Sequence, residues 1–292
     1  MRIVGLMCPD KKQYPNIALM RIAGFHNLRG DIVEWYNSSY GDVFDLCYAS
    51  SVFTYSDKSD VPPTAFTGGS GFNKWGILPE HIANTQPDYS IYPDCGFSIQ
   101  RFSIGCKRHC KFCIVHDKEG EMQPVAPMEL NPKGEWIDVI DNDFFGNPEW
   151  EKAVMYLIET QQPVSIQNVS VRDLTERHAF WLNRLKHFKQ TKMAWDNPKE
   201  NLLPKFREVA HWIKPYKVMV YVLVGFDSTM VENLYRINEL NALGYDPFVM
   251  VYRDRNNSEQ PRELQRLARW CNKKQHRGIS WDEYCKERGD RV

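Results

Sequence analysis

The sequence predicts an α/β protein in two parts, a short strand-and-helix region followed by six strand-and-helix units. Three observations carry this reading. Short apolar runs alternate with segments whose apolar residues recur at helical spacing, the order that builds parallel sheets. A stretch from Asp57 to Gly96 contains Pro62, Pro63, Gly68, Gly69, Gly71, Pro79, Pro87 and Pro93 and divides the chain. Val218 to Val224 is continuously apolar, as a parallel strand buried on both faces would be.

In chain order, Ile3 to Met7 reads as a strand, and Ile17, Ala18, Met20, Ile22 and Phe25 mark a helix that Gly30 ends. Asp31 to Tyr36 alternates like a strand, and Val43 to Ser50 gives another after a turn at Gly41. Residues 57–96 read as a long connection with little regular structure. The boundary falls there, with a first domain and linker over residues 1–92 and a second domain over 93–292. Phe97 to Ile104 alternates as a strand and runs directly into a cysteine cluster. Strands then fall near Ile137 to Asp141, Val164 to Val169, Met193 to Trp195, Lys217 to Val224 and Pro247 to Tyr252. They are followed by helices from about Glu149, Glu176, Pro204, Met230 and Pro261, and the chain closes in a helical extension. Right-handed crossovers curl such units into a half or full barrel with its chemistry at the C-terminal strand ends.

Composition narrows the function classes. Hydrophobic residues at 42% and charged residues at 25% exclude a disordered, collagenous or coiled-coil chain. The 37 Lys and Arg balance the 37 Asp and Glu, so nucleic acid could be held only through a local patch such as Lys107, Arg108 and Lys111 or the segment from Arg262 to Arg277. The longest apolar run, Val218 to Phe226, is well short of the roughly 18 residues of a membrane span. Ile3 to Cys8 is too short for a signal-peptide core, which points to the cytoplasm. Eight cysteines are too few for a disulfide scaffold in a chain of 292 residues.

Three of those cysteines are crowded together. Cys106, Cys110 and Cys113 stand in a C-x3-C-x2-C spacing, with Phe112 before the last. Thiolates suit zinc or an iron-sulfur cluster. His109 and His116 could complete a tetrahedral zinc site. Alternatively, three cysteines on a four-iron cluster leave one iron open. Lys107, Arg108 and Lys111 are expected to lower the thiol pKa values and offset cluster charge.

The C-x3-C-x2-C motif with its aromatic residue, placed after the first strand of a barrel, resembles the signature of the radical S-adenosylmethionine superfamily. The resemblance extends over roughly Asp94 to Lys273. It implies a partial (β/α)6 TIM-like barrel and an oxygen-sensitive enzyme with a 4Fe-4S cluster. Cys106, Cys110 and Cys113 would be the cluster ligands, and the free iron would bind the amino and carboxylate groups of S-adenosylmethionine. One electron, from a flavodoxin or ferredoxin type of donor, would cleave the sulfonium to a 5′-deoxyadenosyl radical that takes hydrogen from a substrate. Phe112 would lie near the adenine.

The resemblance also directs attention to the strand ends. Asp141, Asn142 and Asp143 end the second barrel strand, where the family contacts the methionine amino group, although its glycine-glycine-glutamate form is absent here. Gln167, Asn168 and Arg172 follow the third strand and Asp196 and Asn197 the fourth, at positions suited to ribose, carboxylate or substrate. Gly225 follows the fifth strand, where a bare backbone could approach the adenine. Tyr252, Arg253, Asp254 and Arg255 end the sixth, where an arginine could hold a carboxylate or phosphate.

Many members of the superfamily carry an N-terminal Rossmann-like domain that binds cobalamin, and the order of elements from Arg2 to Ser50 is compatible with a shortened copy. The Asp-x-His-x-x-Gly loop of such domains is missing, since the segment from Cys8 to Asn16 has Asp10 but no histidine, and His26 reads as a surface residue of a helix. A cobalamin-like fold without cobalamin is expected. Cys8, Cys47, Cys95, Cys271 and Cys285 read mostly as small buried residues, with a second cluster near Cys271, His276 and Cys285 a remote alternative. Two other functions compete: a non-catalytic iron-sulfur or zinc module that braces a partner surface, and a radical enzyme that modifies nucleic acid.

Overall fold

The computed structural model describes residues 1–10, 14–73, 78–254 and 258–287. The chain divides into two compact units. The first is formed by Met1–Phe97 and Met128–Gly134, and the second by Ser98–Pro127, Glu135–Arg253 and the segment that begins at Ser258.

The first unit is a four-stranded parallel sheet. β1 (Ile3–Met7) leads through helix α1 (Ile17–Leu28) to β2 (Ile32–Trp35), and β3 (Leu46–Ser50) and β4 (Phe66–Gly68) follow in a β2-β1-β3-β4 order. Asn16 starts α1 by accepting a hydrogen bond from the Leu19 N–H at 3.3 Å. Val4 and Leu6 of β1 pack against Leu19, Met20, Ile22 and Ala23 of α1 to form the core, with the short helix α2 (Glu80–Ala83) contributing Ile82. Two expectations are corrected. β4 lies in the stretch read as irregular; a three-residue edge strand is too short to show an alternating pattern. His26 is buried rather than at the surface, with Nδ1 2.8 Å from Asp31 Oδ2 and Nε2 3.3 Å from the Tyr48 hydroxyl. Buried polar groups need such partners, and these two tie the end of α1 to the sheet.

The second unit has mixed α/β structure built on parallel strands. β5 (Phe97–Gln100) is followed by β6 (Ser103–Ile104), α3 (Val115–Glu119) and β7 (Gln123–Pro124), which pairs antiparallel with β6. Then come β8 (Trp136–Val139), α4 (Trp150–Glu159), β9 (Val164–Ile166), α5 (Glu176–Leu182), β10 (Thr191–Ala194), α6 (Leu203–Trp212), β11 (Val218–Val224), α7 (Met230–Ala242), β12 (Asp246–Val251), α8 (Arg262–Asn272) and α9 (Trp281–Glu287). The single strand expected from Phe97 to Ile104 is broken in two, because the Phe102 N–H turns to Asp141 instead of continuing a ladder.

The principal strands form two three-stranded sheets, β5-β8-β9 and β10-β11-β12, with β8 parallel to β9 and β11 parallel to both its neighbours. A closed barrel is not found among the described residues. Between the sheets, the Val169 N–H donates to the Lys192 carbonyl at 2.9 Å, and Val164 bridges His187. β11 departs from the expectation of burial on both faces: Val218, Val220, Val222 and Val224 are fully buried, while Met219, Tyr221 and Leu223 are only partly so. The capping boxes of Thr175 with His178 and Thr229 with Glu232 fix the starts of α5 and α7. No described helix is long and apolar enough to cross a membrane.

Candidate functional site

The three motif cysteines lie on the loop that the β6 and β7 pair closes. Gly105 enters it with φ +74°, in the left-handed region that favours glycine, and a Cβ there would come within 2.2 Å of the Glu121 carbonyl oxygen. The Cys106 N–H donates to the Gly120 carbonyl at 3.2 Å and narrows the neck, and the Cys113 N–H donates to the Cys110 carbonyl at 2.9 Å. Cys106 and Cys110 are half-buried and Cys113 is exposed.

Around this loop the strand ends supply polar anchors. Glu119 pairs with Arg101 and accepts from the Gly105 N–H at 3.1 Å and from Asn142 Nδ2 at 2.9 Å. Burial opposes its charge, but Arg101 and these donors outweigh it and hold the carboxyl below its ordinary range. Asn142 Nδ2 also donates to the Gly105 carbonyl at 3.0 Å. Asp141, 1% exposed, accepts from the Ser103 hydroxyl at 2.6 Å and from the Phe102 N–H at 3.1 Å. Both predicted residues are thus committed to the architecture that carries the loop.

Asp143 differs from its neighbours. It is 3% exposed; Oδ1 accepts from the Ser170 N–H at 3.1 Å, while Oδ2 is buried without a hydrogen-bond partner. Burial raises its pKa, against the pull of the Ser170 N–H, Lys107 and Arg108. Its charge in turn helps to raise the Cys106 thiol pKa, for which burial is the main cause.

The expected lowering of thiol pKa values is not found at Cys106 or Cys110, where burial pushes both thiols up. The Arg108 N–H and charge do lower the Cys106 pKa, but burial outweighs them, and the side chains of Lys107 and Arg108 both pair with Asp173, with Arg108 also donating to the Ser170 hydroxyl at 2.7 Å. Arg172 forms a two-pronged pair with Glu200, and its charge lowers the Cys110 pKa while Asp196 raises it. The Asp196 carboxyl is itself pushed up to about 6, by burial first, against the Leu223 N–H, Arg236 and Arg172.

Phe112 packs against the residue that follows Gly225. The Phe112 ring meets that of Phe226 edge-on at 5.6 Å, and Phe226 meets Tyr252 at 4.9 Å. Gly225 has φ +83°, and a Cβ there would crowd the side chains of Gln260 and Leu264. Gln167 donates to Asp138 and, at 3.2 Å, to the Ser165 hydroxyl. Asn168 donates to the Asp141 carbonyl at 3.1 Å, and Asn197 accepts from the Lys199 N–H. Arg255 lies outside the described residues.

Two features were not singled out from the sequence. Lys192, 6% exposed, donates from Nζ to the Ser165 hydroxyl at 2.7 Å, and burial lowers its pKa. Arg236, 1% exposed, donates to the carbonyls of Trp195, Asp196 and Leu223 and to Asn233 Oδ1. A lysine between the apolar residues of a short strand was the signal for the first. The second sits on a helix face whose sequence neighbours are mostly polar.

The metal-binding alternatives differ in geometry. A zinc ion about 2.3 Å from each of three sulfurs would gather those sulfurs within roughly 4 Å of one another. Among the described residues, the three thiols do not form such a group within 4.8 Å. They are nevertheless close enough for Cys113 to raise the pKa of both Cys106 and Cys110. Three soft donors on one loop suit an iron-sulfur cluster or zinc by their chemistry.

Neither a protein-family model nor a curated protein matches the chain. Among solved structures, its fold is similar to that of TsrM, a radical S-adenosylmethionine methyltransferase from Kitasatospora setae, solved with tryptophan substrate and an S-adenosylmethionine analogue, aza-SAM, bound. The TM-score is 0.62 at 11% identity, covering 86% of this chain and 73% of that chain. At that identity the likeness is one of fold.

Proposed function

We propose that the chain is a radical S-adenosylmethionine enzyme in which Cys106, Cys110 and Cys113 hold a 4Fe-4S cluster. When bound, the cluster and S-adenosylmethionine would supply reductive cleavage of the sulfonium to a 5′-deoxyadenosyl radical, which abstracts hydrogen from a substrate. The observation that carries this reading is the three-thiol loop itself, closed by β6 and β7, with Cys113 near enough to raise the pKa of both Cys106 and Cys110. The TsrM-like fold supports it independently.

The chain's residues would divide the work. Asp143 Oδ2, buried and unpaired, would accept a hydrogen bond from the amino group of S-adenosylmethionine. Asp141, Asn142 and Glu119 would hold the loop that presents the thiols. Phe112 and the Gly225 backbone, brought together through Phe226, would bound the adenine. Asp196 would face ribose or substrate polar groups. Lys192 Nζ and Ser165, which meet between β9 and β10, support reading the two parallel sheets as one partial barrel. Gln167, beside Ser165 and Asp138, would then face its interior. Exposed Cys113 leaves the loop open to a small electron donor of flavodoxin or ferredoxin type. The four-stranded parallel sheet of the first unit supports a Rossmann-like domain, which we propose works without cobalamin.

The test is anaerobic reconstitution with iron and sulfide, followed by iron counting and electron paramagnetic resonance of the reduced protein with and without S-adenosylmethionine. Four irons per chain and a spectrum that changes when S-adenosylmethionine is added are expected. Substoichiometric iron that any one of the Cys→Ala variants also retains would overturn the reading.

A further inference from the structure

The cysteine loop carries a second set of metal-ligating side chains that the cluster does not use. His109 stands between the first two cysteines, His116 on α3 and Glu121 just before β7. One ligand atom from each lies within 4.8 Å of the other two. His109 Nε2 is 3.5 Å and His116 Nδ1 3.9 Å from the same oxygen, Glu121 Oε1. These separations are too long for hydrogen bonds, whose N–H···O distances run about 2.7–3.2 Å. They are close to the edge of a coordination tetrahedron, since ligands about 2.1 Å from a shared zinc ion lie roughly 3.4 Å apart.

The electrical arrangement points the same way. The two imidazole rings approach to 3.7 Å between centroids. Two imidazoles and a carboxylate gathered this closely offer nitrogen and oxygen donors that one cation between them could share. His116 Nδ1 is buried and makes no hydrogen bond. We propose that His109, His116 and Glu121 form a divalent transition-metal site of the zinc class, with two imidazoles and one carboxylate as ligands and water in the open position. Because His109 precedes Cys110 and the other two ligands follow Cys113, the ion clamps the two limbs of the loop together. It is therefore a positioning site, and it does not depend on what the thiols hold.

The test uses the full-length protein after iron and sulfide reconstitution, equilibrated with zinc chloride in a chelator-buffered series. Metal is counted by mass spectrometry and its surroundings read by zinc-edge X-ray absorption. One zinc per chain in a shell of nitrogen and oxygen alone is expected, and the Cys106→Ala, Cys110→Ala, Cys113→Ala triple variant should retain it. Losing an outer-shell partner costs about 10- to 100-fold in metal affinity, so His109→Ala or Glu121→Gln should weaken zinc by about 100-fold or more. Both positions are exposed, and circular dichroism checks that the variants fold. Sulfur in the zinc shell, loss of zinc in the triple cysteine variant, or no zinc at all would overturn the site. If iron fails to load while zinc stays in a nitrogen and oxygen shell, the cluster assignment fails and this one stands.

Discussion

Asn142 Nδ2 donates to the Gly105 carbonyl at 3.0 Å, so the loop that follows β8 holds the backbone immediately before the first motif cysteine. Glu119, at the far end of α3, shares the same amide at 2.9 Å and receives the Gly105 N–H. The two ends of the cysteine loop are fastened at one point.

Gly105→Ala should break that fastening. Its φ of +74° costs about 1–2 kcal/mol for a residue with a Cβ, and the added atom would meet the Glu121 backbone carbonyl, which cannot turn aside. Iron content after reconstitution should fall to a small fraction of wild type, while far-ultraviolet circular dichroism stays native.

Asp141 and Asp143, two residues apart, should respond in opposite ways. Asp141→Ala leaves the Phe102 N–H and Ser103 hydroxyl without their acceptor, at about 1–3 kcal/mol each, and thermal melting should show the loss. Asp143→Asn keeps an oxygen for the Ser170 N–H and removes only an unpaired buried charge, so melting should be unchanged or higher. Its defect should appear in S-adenosylmethionine binding. A charged hydrogen bond contributes about 1.5–3 kcal/mol, or roughly 10- to 100-fold in Kd, measurable by calorimetry under anaerobic conditions.

Arg236→Met tests the support behind the strand ends. Burial holds the arginine's pKa down to about 10, and its guanidinium joins α7 to the ends of β10 and β11 through three carbonyls. Methionine fills similar volume but leaves those acceptors unpaired, and urea unfolding should report a loss of about 3–5 kcal/mol.

Asp196 gives a pH signature. Its folded pKa of about 6 lies above the ordinary value of 3.8, so between these values the folded chain binds more protons than the unfolded one. Its contribution to stability is therefore most favourable near pH 4 and declines as pH rises to about 6. Asp196→Asn, which still offers an oxygen to the Leu223 N–H, should be more stable than wild type at pH 7, and the difference should vanish near pH 4. Urea midpoints measured across that range provide the check.

The longest strand of the second unit was legible as an apolar run ahead of a helix cap, Val218 to Val224 before Thr229. β4 and the β6 and β7 pair were not, because two- and three-residue strands carry too few side chains to show a period. The cysteines were legible by spacing, which is local. The difference between Asp141 and Asp143 was not, since it depends on Phe102, Ser103 and Ser170 arriving from other strands. Likewise the pairing of Lys107 and Arg108 with Asp173, distant in sequence, was not legible beside the thiols, although Arg108 still lowers the Cys106 pKa. His26 looked exposed for the same reason, with Tyr48 on another strand supplying one of its partners.

The most direct test of the central claim is cleavage of S-adenosylmethionine. Reconstituted protein is reduced with dithionite in the absence of oxygen, given S-adenosylmethionine, and assayed for 5′-deoxyadenosine beside the Cys106→Ala, Cys110→Ala, Cys113→Ala variant. 5′-Deoxyadenosine is expected from the wild type and none from the variant. A loaded four-iron cluster that yields no 5′-deoxyadenosine under any of several reductants, or equal yields from the two proteins, would contradict it.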